Sequence, residues 1–195
     1  MKILLKTLIA VMCISAIACT KEGARTSTAL QSTSTDDATA AFHIGQTYHG
    51  GYIFYIDKTG KHGLIVSKTD LVNSSQSAQI SWKKGKNIVT GASDIAVGTG
   101  ASNTQKIVDA LGTTGQYAAL LCYKYKTGQY KDWYLPSKKE LDLLYQQKAV
   151  IGVSGQYWSS SETGKAKAWD QEFGGGFAFK DNKGFTLNVR AISSF

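Results

Sequence analysis

Cysteine and proline are scarce in this chain of 195 residues. Of its three cysteines, Cys13 lies in a predicted signal peptide and Cys19 is the predicted lipidation site, as argued below. Cys122 is then without a partner for an internal disulfide bond. We expect Cys122 to be a small buried core residue. One proline, Pro136, against 20 glycines predicts many tight turns between short strands. The composition therefore excludes a fold that is held together by disulfide bonds.

The residues that support common catalytic and metal sites are also few. The only histidines are His43, His49 and His62, and no Gly-x-Ser-x-Gly motif is present to position a nucleophilic serine. The serines at 159–161 are therefore interpreted as loop residues that bond to the backbone. No pair of cysteines or histidines has a spacing that suits zinc, and each predicted hairpin turn carries a single carboxylate, too few for calcium. We expect no metal and no cofactor.

The N-terminus carries an apolar run that is too short to span a membrane. Thr7 to Ala18 would form a helix of only about 18 Å, whereas the hydrocarbon core is about 30 Å thick. Lysines precede this run, so residues 1–18 are predicted to be a signal peptide. The run ends in AIAC, which resembles the lipobox of bacterial lipoproteins and implies lipidation of Cys19. The alternative is an ordinary secretory signal with a chance cysteine.

Composition changes again after the predicted signal peptide. Residues 19–41 are predicted to be a lipidated cysteine and a disordered tether rich in Ser, Thr and Ala, and residues 42–195 a folded domain. The net charge of the chain is +8, and nearly all of it lies in this domain. We expect an exported lipoprotein in the outer membrane or at the cell surface that meets polyanionic glycans and not nucleic acid.

The predicted domain begins and ends with strands and has helices between them. A first helix is predicted to begin with Asn103 as its N-cap, and a second to cover 116–125. A third is predicted from Lys138 to about Gln147. Ser137 and Glu140 have the spacing of a capping box, in which each side chain bonds to the backbone N–H of the other residue.

Two segments, WKKGK and YKYKTGQYK, place lysines among aromatic residues. An ammonium group binds an anion and an aromatic ring covers the face of a sugar, so both segments are candidate glycan contacts. The alternative is a solvated face whose aromatic side chains turn inward. The candidate residues are, in order, Trp82, Lys83, Lys84 and Lys86, followed by Lys124, Lys126 and Lys131.

The order of motifs along residues 50–195 resembles a known family. GGYIFYID, GLIVSKTDL, YAALLCYKY, DWYLPSKKELDLLY, YWSSSE and VRAISSF are similar to the C-terminal domain of Legionella collagen-like adhesins. That family is similar to C-type lectin-like domains and to the formylglycine-generating enzyme superfold. The resemblance implies an α+β fold with two main helical regions against short, twisted antiparallel sheets. The cysteine pair of those enzymes and the calcium motif of the lectins are both missing here.

The resemblance implies a non-enzymatic domain that contacts anionic glycans or other extracellular ligands in adhesion. Two other readings stay open: a hydrolase or oxidase that acts on a cell-surface polymer, and a structural component of a surface layer. The expected partners are the membrane, through the lipid on Cys19, and a glycan or host ligand, and a homo-oligomer is left open.

The lipid anchor gives the first testable prediction. Cys19→Ala removes the thiol that would be acylated, so the variant should leave the membrane fraction or remain unprocessed, as fractionation and mass spectrometry would show. Several acyl chains are needed for firm anchoring, because each buried methylene contributes only about 0.8 kcal/mol. Unchanged membrane attachment of Cys19→Ala would contradict the lipoprotein interpretation.

Overall fold

The computed structural model describes residues 41–195. Four short strands come first in this part of the chain, then four helices, then five more strands. The predicted signal peptide, Cys19 and nearly all of the predicted tether lie outside these residues. The strands are β1 (Thr47–Tyr48), β2 (Gly51–Ile56), β3 (Gly63–Ser67), β4 (Ile80–Ser81), β5 (Gln156–Glu162), β6 (Lys167–Glu172), β7 (Ala178–Asn182), β8 (Thr186–Leu187) and β9 (Ile192–Ser194). The helices are α1 (Gly100–Leu111), α2 (Ala118–Lys124), α3 (Lys138–Gln146) and α4 (Lys148–Ile151).

The strands form three small antiparallel sheets, with the orders β1-β2-β3-β9, β4-β8 and β5-β6-β7. The predicted mixture of helices with short antiparallel sheets is therefore confirmed. The first sheet brings the two ends of the domain together, because β9 pairs with β3 through Leu64 and Ser194. No helix among the described residues is long and apolar enough to cross a bilayer.

Strand β5 separates two hydrophobic clusters. Successive side chains of a strand point to opposite faces. Accordingly, Trp158 packs with Trp82 and Ile107 in one cluster, while its neighbour Tyr157 packs with Leu144 in the other. Both faces of β5 are thus covered, which explains why six of its seven residues are buried.

The thiol of Cys122, the one cysteine within residues 41–195, lies in the first of these clusters and is buried, as predicted. Cys122 is fully buried on α2, and its burial raises the pKa of the thiol well above the ordinary value. Cys122 is also a free cysteine.

The predicted capping box of α3 is confirmed. Glu140 N donates to Ser137 Oγ at 3.3 Å, and Ser137 N donates to Glu140 Oε2 at 2.7 Å. The same two residues also hold a distant loop, residues 94–99: Gly98 N donates to Glu140 Oε1 at 2.8 Å, and Ser137 Oγ bonds to Ala96 O at 2.8 Å. A local motif therefore also determines the path of the chain into α1.

The predicted N-cap of α1 is wrong. The helix begins at Gly100, three residues before Asn103, so Asn103 lies inside the helix and not at its end. The Asn103 side chain is buried and donates from Nδ2 to Asp94 O at 2.6 Å. An asparagine that could have capped a helix instead bonds across the core to the 94–99 loop.

The triple serine is likewise not in a loop. Ser159, Ser160 and Ser161 are buried within β5. The predicted bonding to the backbone does hold: Ser159 Oγ donates to Trp169 O and Ser161 Oγ to Asp94 O, at 2.8 and 2.7 Å. These hydroxyls join β5 to its neighbours, which is a structural role.

A buried ion pair joins the chain after β7 to the end of β5. Lys183 Nζ lies 2.5 Å from Glu162 Oε2, with both side chains about 99% buried, and it also donates to Ile88 O at 3.0 Å. Glu162 accepts a further bond from Gly91 N at 2.7 Å. Burial opposes the charge of Glu162, but Lys183 and the backbone donors outweigh it and lower the pKa of the carboxyl. The pair therefore fixes the irregular segment 88–92 against the sheet.

Gly100 provides a test of the contact between α1 and Glu140. A Cβ atom at this position would overlap the Glu140 carboxylate and lie 2.9 Å from Leu135 O. Gly100→Ala should therefore lower the free energy of unfolding by about 1–3 kcal/mol, the usual cost of overpacking. Chemical denaturation would measure the loss, with Ser102→Ala, exposed in the same turn, as the control. Equal stability of the two variants would contradict the close packing.

Asp170 on β6 provides a test by pH. Burial raises its pKa from 3.8 to about 6. The nearby charge of Asp181 acts in the same direction, whereas a hydrogen bond from Gln156 acts against it. The folded state therefore holds a proton that the unfolded state has lost, so stability should fall as pH rises from about 4 to about 6, by about 2–3 kcal/mol.

Replacing the acid with an amide should remove this dependence. We expect Asp170→Asn to be more stable than the wild type at pH 7.5 and to show a smaller change between pH 4 and pH 6 in denaturation curves. Asp109→Asn, at an exposed position, is the control. A variant with an unchanged pH slope would contradict the assignment.

Candidate functional site

The candidate site is a pocket of about 390 Å³ between α1, the end of α2 and the segment that precedes α3. Helix α1 contributes one wall, α2 contributes Tyr123, and the segment before α3 contributes the rest. The lining residues are Ala101, Thr104, Gln105, Tyr123, Lys126, Lys131, Asp132, Trp133 and Tyr134. The pocket thus includes two of the seven candidate glycan-contact residues.

Lys126 and Lys131 flank a tight hairpin, which we call the lysine hairpin (residues 126–131). Thr127 and Tyr130 exchange two backbone hydrogen bonds of 3.0 Å, and Gly128 occupies the left-handed region with φ of 57°. Lys126 and Lys131 are the residues next outward from this isolated bridge, and both line the pocket.

One face of the lysine hairpin rests on a stack of rings. Tyr130 stacks on His49 at 4.2 Å between ring centroids, and His49 stacks on Tyr48 at 3.8 Å. Thr127 Oγ1 also donates to His49 O at 3.3 Å. Because the stack fixes Thr127 and Tyr130, it also fixes the hairpin that carries the two lysines.

The floor of the pocket consists of Trp133 and Tyr134, which are buried. Leu135 N donates to Thr104 Oγ1 at 3.0 Å, which joins this segment to α1. Burial, together with the charge of Glu140, raises the pKa of the Tyr134 hydroxyl, so the phenol stays neutral. The indole Nε1 of Trp133 is buried and has no hydrogen-bond partner among the described residues.

The first candidate cluster does not form a site of the predicted kind. Trp82 is only 1% exposed: its Nε1 donates to Ser159 O at 2.8 Å, and Lys183 Nζ lies 4.3 Å from the centre of its ring. The prediction that Trp82 contacts a ligand is therefore wrong, because the indole is part of the core. Lys84 and Lys86 are exposed and Lys83 is half-buried.

The two clusters meet at the loop between α1 and α2. Lys84 Nζ donates to Thr114 Oγ1 at 2.7 Å, and Lys124 Nζ donates to Thr113 O at 2.8 Å. Lys124 is thereby directed to this loop and does not line the pocket. Of the second cluster, only Lys126 and Lys131 do so.

Within residues 41–195, the histidines do not line the pocket and the acidic residues do not form a metal site. His49 lies within the ring stack, and His43 and His62 are exposed; none of the three lines the pocket. Among residues 41–195, no group of three His, Cys, Asp or Glu side chains lies close enough to hold a metal ion.

Most of the residues that line the pocket are not predicted from the sequence. Gln105 and Thr104 belong to a predicted helix, and nothing in their spacing indicates which face of it is open. Trp133 and Asp132 belong to DWYLPSKKELDLLY, a segment that predicts a helix cap and resembles a family motif but does not indicate a pocket. The spacing of lysines around TGQY was the one available signal, because two residues between hydrogen-bonded partners make a hairpin.

Comparisons with known proteins identify a shared fold. No family model matches the chain, and no curated protein matches it. A fimbrial protein from Bacteroides ovatus is similar in structure, with a TM-score of 0.52 and 13% sequence identity. The similarity covers 77% of this chain and 48% of the fimbrial protein, so the chain spans about half of that protein's length. At this identity, the likeness concerns the fold alone.

Proposed function

We propose that this chain is a surface-anchored bacterial lipoprotein whose domain binds an anionic glycan without catalysing a reaction. The domain is assigned to the C-type lectin-like fold, as in the C-terminal domain of Legionella collagen-like adhesins. The observation that carries the proposal is the presence of two lysines, Lys126 and Lys131, in the lining of a pocket that also contains an exposed tyrosine.

The charge arrangement supports an anionic ligand. Like charges in the lining of one pocket repel each other. Neither Lys126 nor Lys131 takes part in any of the four ion pairs among the described residues. An anion between the two ammonium groups would relieve their repulsion and form charge-assisted hydrogen bonds.

The aromatic wall supports a saccharide as the carrier of that anion. Tyr123 is 44% exposed beside Lys126 and offers a ring face to an apolar surface of the ligand. Gln105 and Asp132, also in the lining, can donate to or accept from hydroxyl groups. A small number of polar groups on an aromatic wall is typical of ligand pockets.

A role in adhesion agrees with the structural neighbour, which is a fimbrial protein. The described residues do not support the enzymatic alternative. Ser159 and Ser161 are buried and donate hydrogen bonds to backbone carbonyls, and the histidines do not line the pocket.

Reversing the charge of the lysine hairpin tests the proposal. The double variant Lys126→Glu/Lys131→Glu should bind heparin at least about tenfold more weakly than the wild-type full-length protein, because charge-assisted bonds contribute about 1.5–3 kcal/mol each. Surface plasmon resonance on immobilised heparin at two salt concentrations would measure this. Binding through exposed charges should weaken at the higher salt concentration.

A matched control separates the pocket from general attraction. Lys84→Glu/Lys86→Glu changes the net charge equally but lies outside the pocket, so we expect a much smaller loss. If the two double variants lost binding equally, the pocket would not be the site. Unchanged binding in the lysine-hairpin variant would contradict the proposal altogether.

A further inference from the structure

We infer that the pocket accepts the end of a saccharide, a single terminal ring bearing one carboxylate or sulfate, and not an internal stretch of a polyanion. This inference rests on the proposed function and makes it more specific. Three features of the pocket support it: its charge, its size and its surroundings.

The charge of the pocket suits one anionic group. Lys126 and Lys131 both line the pocket, and Asp132 in the same lining carries the opposite sign. A polyanion with several sulfates would bind best along a continuous track of cations, as nucleic acids do in basic grooves. Here the Asp132 carboxylate would repel every anionic group of such a polymer except the one that reaches the ammonium groups of Lys126 and Lys131.

The neighbouring lysines do not extend this site into such a track. Lys124, which follows Tyr123 in the chain, turns away to bond Thr113 O at 2.8 Å. Lys84 bonds Thr114 Oγ1 at the same loop. Both ammonium groups are therefore engaged at the α1–α2 loop and not at the pocket.

The size of the pocket limits the ligand to a short one. A volume of about 390 Å³ lies near the lower end of the range of about 300–1,000 Å³ that is usual for small-molecule pockets. The floor is closed by the buried Trp133 and Tyr134. A chain end can enter such a space, with Tyr123 covering the ring face, whereas an extended polymer would have to lie across its mouth.

Competition by monosaccharides tests the inference. The full-length protein in detergent would be studied by saturation-transfer NMR with glucuronate, glucose 6-sulfate and glucose, each alone and against bound heparin. We expect at least one of the two acidic sugars to bind with a dissociation constant of about 1 mM and to displace heparin, and glucose to bind at least about tenfold more weakly. The acid that binds identifies the anionic group.

Three variants connect that binding to the pocket. Lys126→Gln/Lys131→Gln should weaken the acidic sugar at least about tenfold, and Lys124→Gln, in the same segment, should leave it unchanged. Tyr123→Ala removes the exposed ring that would cover the sugar face, and should weaken binding about three- to tenfold. Circular dichroism would verify that each variant is folded.

The outcomes distinguish this inference from the proposed function. If heparin binds through the lysine hairpin but neither acidic sugar displaces it, the inference is overturned while glycan binding stands. If neither heparin nor the sugars bind, both fail. Displacement that Lys126→Gln/Lys131→Gln leaves intact would also overturn the inference, because the sugar would then bind elsewhere.

Discussion

The carboxylate of Glu140 is the group on which the described domain most depends. It lies in the interior, where burial raises its pKa in spite of the backbone N–H groups of Ser137 and Gly98 that lower it. Through these bonds a single side chain starts α3, holds the 94–99 loop and defines where α1 begins. Tyr134, whose hydroxyl pKa is raised by burial and by the charge of Glu140, also lines the pocket. The candidate site therefore adjoins the residue that organises the fold.

The limits of sequence reasoning follow from the range of each interaction. The capping box of Ser137 and Glu140 was predicted because both partners lie within one helical turn. Asn103 was misplaced because its partner, Asp94 O, is in a loop whose path is fixed by Glu140, far away in the sequence. Trp82 was misjudged for a similar reason: only the fold brings Lys183 over its ring.

The candidate site was predicted in part. Lys126 and Lys131 were chosen for their charge, and their place on a hairpin at the pocket adds a geometry that charge alone does not give. Lys124 has the same residue type and the same surroundings in the sequence, yet it bonds to another loop. Thr104, Gln105 and Trp133 come from separate elements, so their convergence depends on how α1 packs against the segment before α3.

The buried thiol has a practical consequence. Cys122 is fully buried among hydrophobic residues of the core, and only a thiolate reacts readily with disulfides or alkylating reagents. While the domain is folded, such a cysteine neither forms mixed disulfides nor crosslinks neighbouring molecules in an oxidising medium. It reacts only when the domain opens, so the rate of its modification reports the population of the opened state.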